Sequence, residues 1–173
     1  MMLNSRRLGI IGFGRIGRWI ARYGQAFGME IVTHDPYASP PLPVVSLSLE
    51  ELFETSDVIS VHVPLNDETT GLVSSDLFRK VKPGAIFINT SRSAVIDESA
   101  LLDVLRNGRL GAAGLDVLDG EPNVTDNPLR RYAEQHENLL ITPHCGGFSP
   151  DALRKVIRHA SRAAASVLNG VAT

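Results

Sequence analysis

Gly12, Gly14 and Gly17 stand in the run Gly12-Phe13-Gly14-Arg15-Ile16-Gly17, directly after the apolar residues 8–11. Each glycine suits a different need. Gly12 permits a tight turn, Gly14 leaves the backbone bare for a close-approaching pyrophosphate, and Gly17 lets a helix lie close on a strand. The amides that open the helix, at Arg15 and Ile16, would then face the anion. By itself the run is also the mark of a tight strand-to-helix turn with no ligand. Asp35 changes the reading, because it follows Gly17 by eighteen residues at the end of a second apolar segment. A dinucleotide fold places its ribose-binding acid about 20 residues beyond the glycines. A carboxylate there accepts hydrogen bonds from both ribose hydroxyls and repels a 2′-phosphate, which points to NAD rather than NADP. Its alternative is a helix-cap or turn aspartate before Pro36.

The elements that must position these residues alternate along the chain. Strands are expected over 8–11, 30–35, 57–63, 85–89, 112–117 and 139–142, each a short apolar run. Between them, Ile16, Trp19, Ile20 and Tyr23 recur at helical spacing over 15–27, and Gly28 closes that helix. Ser48 and Glu51 have capping-box spacing and open a short helix. A further helix is expected at 77–81. Asp97 caps another that runs to Arg106, with Asn107-Gly108 as its stop. Residues 39–43 are too rich in proline for regular structure. The last helix, 150–169, carries the apolar stripe Leu153, Val156, Ile157, Ala160, Ala164, Val167 and Leu168. This rhythm predicts one doubly wound α/β domain over 1–173, with its core at 7–170 and a mostly parallel sheet of Rossmann type.

Composition narrows the partners. The 173 residues are 43% hydrophobic and 21% charged, a globular balance. Seventeen basic against nineteen acidic side chains, a net charge of −2, argue against a general nucleic-acid or anionic-membrane binder. No stretch approaches the ~20 apolar residues of a membrane span. Arg15 interrupts the apolar run after Arg6-Arg7 too early for a secretory signal. Cys145, the single cysteine, excludes an internal disulfide, so a cytoplasmic setting is expected. His34 and His62 lack ligand spacing to any other histidine or cysteine, and no metal is expected. Arg130-Arg131 reads as a solvated helix face.

Six segments, GIIGFGRIG, HDPY, VHVPLNDETTGLV, INTSRSAVIDESAL, GAAGLDVLDGEP and ITPHCGG, stand in the order and spacing of one family. In them the chain resembles the NAD-binding domain of the D-isomer-specific 2-hydroxyacid dehydrogenases, those like phosphoglycerate dehydrogenase or glyoxylate/hydroxypyruvate reductase included. The resemblance implies hydride transfer between NAD and a small 2-hydroxy or 2-oxo acid, with Arg92, Glu121 and His144 as the catalytic group. His144 would exchange the hydroxyl proton. Glu121 would hydrogen-bond the imidazole and stabilise its cation. Arg92 would offer a planar fork of donors to the substrate carboxylate and polarise the carbonyl. Taken singly, Arg92 reads as a surface arginine, Glu121 as a loop residue before proline, and His144 as a satisfied loop histidine. Glutamate at 121 favours hydroxy-acid chemistry over the formate dehydrogenase branch, which has glutamine.

The resemblance also assigns Arg15 and Ile16 to the phosphates and Asp35 to the adenosine ribose. Thr90, Ser91 and Arg92 would lie along the nicotinamide side, with Asp116 near the carboxamide. His144, Gly146 and Gly147 would close over the ring. Ser93 departs from the family's usual glycine, a concern if its backbone needs a positive φ. Cys145 replaces a small aliphatic residue and is expected to pack. The family's substrate domain has no counterpart in the chain, so weak or no turnover by the chain alone is expected, and a homodimer is expected. A non-catalytic, NAD-responsive binding module is the alternative.

Overall fold

The computed structural model describes residues 2–41 and 43–168. Its elements are β1 (Arg7–Ile11), α1 (Arg15–Ala26), β2 (Glu30–His34), β3 (Val45–Ser46), α2 (Leu49–Thr55), β4 (Val58–Val61), α3 (Ser75–Lys80), β5 (Ile86–Asn89), α4 (Glu98–Arg106), β6 (Ala112–Leu115), α5 (Pro128–Ala133), β7 (Leu139–Ile141) and α6 (Pro150–Leu168). A 3₁₀ turn, Ser93–Val95, precedes α4. The chain divides into two compact units, Met1–Thr142 and Pro143–Thr173.

Among the described residues, the seven strands belong to the first unit and form one sheet in the order β3-β2-β1-β4-β5-β6-β7. Every pairing is parallel, so all strands end at one edge. The chain moves outward one way through β2 and β3, then returns to the other side of β1 at β4. That reversal makes the end of β1 the switch point where a doubly wound sheet opens a crevice.

Burial on both faces accounts for the near-continuous apolar strands. Along β1, Leu8 and Ile10 enter one core cluster while Ile11 enters the other. In the larger cluster Phe53, Phe78 and Phe87 are fully buried. Phe78 and Phe87 meet edge to face with centroids 5.1 Å apart. At the opposite edge Asp57 ties three strand starts together, accepting from the Arg7 amide at 2.8 Å, Lys82 Nζ at 2.8 Å and Arg6 Nη1 at 3.2 Å. Burial pushes its carboxyl up, but these three donors outweigh burial and hold it below the usual carboxylate range.

The expected elements are found, with corrections. The apolar row of α1 is split, since Ile16, Trp19 and Tyr23 are 61%, 50% and 56% exposed while Ile20 packs against the smaller core cluster. The buried face is Gly17, Ala21 and Gly24. A Cβ on Gly24 would come within 2.7 Å of Ile31 Cδ1, so the helix sits too close for larger residues. α3 starts earlier than expected, at Ser75. β3 and the 3₁₀ turn were not anticipated, and α5 was expected only as the helix face that carries Arg130 and Arg131. α5 had a signal, because Asn127 Oδ1 accepts from the Leu129 amide at 2.9 Å and Pro128 opens the helix. In the second unit, Leu153, Val156, Ile157 and Val167 of the expected apolar stripe are exposed. Asn169, Gly170 and the Leu168 side chain lie outside the described residues.

Candidate functional site

The glycine loop leaves β1 with its amides directed. The Gly12 amide donates to His34 O at 2.9 Å, which ties the loop to the end of β2. Gly12 has φ +91°, and a Cβ there would lie 2.8 Å from His62 O. A Cβ on Gly17 would lie 2.1 Å from Gly12 O, so both positions are sterically closed to side chains. Gly14 is the opposite case, with no atom within 4 Å of where a Cβ would stand. It is the N-cap of α1, no side chain caps the helix, and its first turn carries no acid. Backbone donors and the positive end of the helix dipole therefore face an open cradle. Arg15 and Ile16 are exposed beside it, and Gly14, Arg15, Arg18, Trp19 and Arg22 border a cavity of about 390 Å³.

Asp35 is locked onto this loop. Its Oδ2 accepts from the Phe13 amide at 2.7 Å and its Oδ1 from the Tyr37 amide at 2.9 Å. An ionised carboxylate has about four lone-pair sites, so each oxygen keeps capacity for a ribose hydroxyl. Tyr37 in turn donates its hydroxyl to Glu68 Oε2 at 2.6 Å. That hydrogen bond and the Glu68 charge, with Asp35 adding to them, raise the phenol above its ordinary value.

Beyond β5 the chain is braced from below. Asn89 is fully buried, and its Oδ1 accepts from the Ser91 amide and hydroxyl, both at 2.9 Å. Its Nδ2 donates to Arg92 O at 3.0 Å. Arg92 is exposed, with Nη1 donating to Ser91 O at 2.7 Å, and Thr90 is exposed beside it. Ser93 begins the 3₁₀ turn, and it is not among the residues with positive φ, so its side chain carries no left-handed strain. The Asp116 amide donates to Asn89 O at 3.0 Å, and the Asp116 carboxylate, buried, accepts from the Thr142 hydroxyl. Glu121 follows in an exposed loop, where its Oε1 accepts from the Leu118 amide at 2.7 Å. The Glu121–Pro122 bond is cis.

The second unit begins with Pro143, and His144 has φ +52°, a left-handed conformation that histidine adopts more readily than most residues. Gly146 and Gly147 follow, both exposed. Cys145 is exposed as well, so the expected packing role is not what the structure shows.

The structure joins Gly12, Phe13 and Asp35 in one bonded assembly, and Ser91, Arg92 and Asp116 in a second built around Asn89. Both follow strands that end at one edge of the first unit. Sequence reasoning missed Asn89, Thr142, Tyr37 and Glu68. A buried amide ending an otherwise apolar strand was the available signal for Asn89. His62, just past β4, is held near the switch point. Its ring lies 2.8 Å from Ser60 Oγ, and burial lowers its pKa to about 4. Among the described residues no group of three histidine, cysteine or acidic side chains could hold a metal, and no helix is long and apolar enough to cross a membrane.

A parallel doubly wound sheet with this cradle and acid at its switch point defines a dinucleotide-binding domain. The family model described as D-isomer specific 2-hydroxyacid dehydrogenase, NAD binding domain, matches residues 1–146, and the chain belongs to that family. It is 42% identical over 156 residues to a hydroxypyruvate reductase of Thermotoga maritima, covering 89% of this chain and 50% of that protein. It is 41% identical over 152 residues to a D-3-phosphoglycerate dehydrogenase of Mycobacterium tuberculosis, covering 86% and 28%. The D-lactate dehydrogenase of Aquifex aeolicus, solved with NAD and lactic acid, aligns over 99% of this chain and 56% of its own, with TM-score 0.87 and 32% identity. The chain thus spans about half the length of the first of these relatives, or less. The cofactor of this domain is NAD, and the open cradle at Gly14 fits its pyrophosphate.

Proposed function

We propose that residues 1–173 form the NAD-binding domain of an enzyme that moves a hydride between NAD and a small D-2-hydroxy or 2-oxo acid, of the hydroxypyruvate or phosphoglycerate type. The observation that carries this reading is the brace under Arg92. Asn89 commits its buried side chain to holding Ser91 and Arg92, and leaves the guanidinium exposed at the strand edge that also carries the glycine loop. NAD supplies the hydride acceptor when bound. Arg92 binds the substrate carboxylate through paired donors. His144 takes the hydroxyl proton and returns it in the reverse direction, and Glu121 orients its ring and stabilises the imidazolium. Gly12, Gly14, Arg15, Ile16 and Gly17 hold the pyrophosphate, and Asp35 holds the ribose. Thr90, Ser91, Asp116, Gly146 and Gly147 line the nicotinamide side.

A second copy is part of the same reading. The outward row Ile16, Trp19 and Tyr23 on α1, with Phe27 just after it, is exposed apolar surface available to a homodimer, which sedimentation of the purified chain would detect. The single cysteine supports a cytoplasmic setting.

The catalytic roles are tested by NADH oxidation with hydroxypyruvate, using the chain fused to a relative's substrate domain. His144→Ala should lower kcat by about 10²–10⁴-fold, the usual worth of a general acid–base. Arg92→Ala should raise KM for the acid. An unchanged rate in the His144 variant contradicts the mechanism. NADH binding without turnover in any such fusion would favour the non-catalytic module.

A further inference from the structure

Asp35 has a partner in the same network. Tyr37 follows β2 and Glu68 follows β4, the two strands that flank β1. Their hydrogen bond therefore joins the segments that follow the two strands on either side of β1. The network runs unbroken from the Phe13 amide through Asp35 to the Tyr37 amide, and from the Tyr37 hydroxyl to Glu68. The loop that carries Glu68 is closed on itself by its neighbours, while the exposed Glu68 side chain is held by Tyr37. Thr69 Oγ1 donates to Pro64 O at 2.5 Å, the Thr69 amide donates to Asn66 Oδ1 at 3.0 Å, and Thr70 Oγ1 donates to Asn66 O at 2.7 Å. Among the described residues no ion pair reaches Asp35 or Glu68, so neither charge is neutralised by a basic side chain.

We propose that Glu68, fixed by Tyr37, is a second specificity-determining carboxylate that acts with Asp35 to turn away a 2′-phosphate and so select NAD over NADP. The inference rests on the reading that Asp35 receives the adenosine ribose. A ribose phosphate carries close to two negative charges at neutral pH. Asp35 opposes it at the hydroxyl itself, and Glu68 adds a second fixed charge one tyrosine side chain away. Tyr37, although 80% exposed, bonds both carboxylates, Asp35 through its amide and Glu68 through its hydroxyl. Its phenol stays protonated, and so keeps the acid on the far loop in place.

Glu68→Gln is close to isosteric. The glutamine oxygen can still accept from Tyr37, so the clasp is kept and the charge removed. The test is calorimetric titration of the 173-residue chain with NADH, and with NADPH in competition against NADH, for the unaltered protein, Glu68→Gln and Asp35→Ala. Melting curves confirm that each is folded. The NADPH-to-NADH affinity ratio should rise about three- to tenfold in Glu68→Gln, as expected for one screened charge, and the rise should shrink with added salt. An unchanged ratio, or equal loss for both nucleotides, would make Glu68 a loop clasp only and overturn the proposal, while a loss of NADH affinity in Asp35→Ala keeps the ribose reading. If Asp35→Ala leaves NADH affinity intact, the ribose reading falls and this inference falls with it. Failure of the unaltered chain to bind NADH overturns both.

Discussion

Gly12, Gly14 and Gly17 lack the same atom for different reasons, and substitution separates them. Gly17→Ala puts a methyl 2.1 Å from a backbone oxygen, so the helix must move off the sheet. It should cost about 1–3 kcal/mol of stability, measured by denaturant unfolding. Asn89 is a second residue-scale device. Asn89→Ala leaves the Ser91 amide without its partner and removes one of the two donors to Arg92 O, and should destabilise by about 1–3 kcal/mol. The same change should raise KM for the acid in a fused enzyme, because Arg92 loses its fixed position. The glycines and Asp35 were legible in the sequence because spacing alone encodes a turn and an acid. Asn89 was not, because the role of a polar residue at a strand end depends on what surrounds it.

At the scale of elements, β1 is held at both ends by its neighbours. Asp57 ties the starts of β1, β4 and β5, and Asp57→Ala should destabilise by about 1–3 kcal/mol through loss of charge-assisted bonds. Its carboxyl is depressed, so this stability is present above the unfolded carboxylate pKa and is lost as pH falls through the folded value. His62 gives a second pH signal. Its pKa falls from 6.5 to about 4 on folding, so the unfolded chain binds the extra proton between those values. Stability should then drop by about 2 kcal/mol from pH 7 to pH 5, and His62→Gln should flatten that slope in denaturant titrations. Strand positions were legible because fully buried parallel strands read as apolar runs. The facing of α1 was not. Ile16, Trp19 and Tyr23 line the outer row while Ile20 and small residues meet the core, so periodicity found the helix without telling which of its residues are buried. β3, with two residues, is too short for any pattern to mark.

For the whole molecule, the parallel sheet directs Gly12, Asp35, Arg92 and Asp116 to one edge of the first unit, where β7 also ends. Family membership and the NAD cofactor were legible because motifs in fixed order survive without knowledge of contacts. The hydrogen-bond networks that join Asp35 to Glu68, and Asn89 to Asp116, required coordinates. The most direct test of the account is the Gly14 cradle. Gly14 has φ −72° and no atom within 4 Å of where a Cβ would stand, so Gly14→Val places its Cβ in open space. Calorimetric titration with NADH should show binding by the unaltered chain and at least a tenfold loss in Gly14→Val, with stability within about 0.5 kcal/mol of the original. Full NADH affinity in Gly14→Val, or no binding by the folded unaltered chain, would contradict the account.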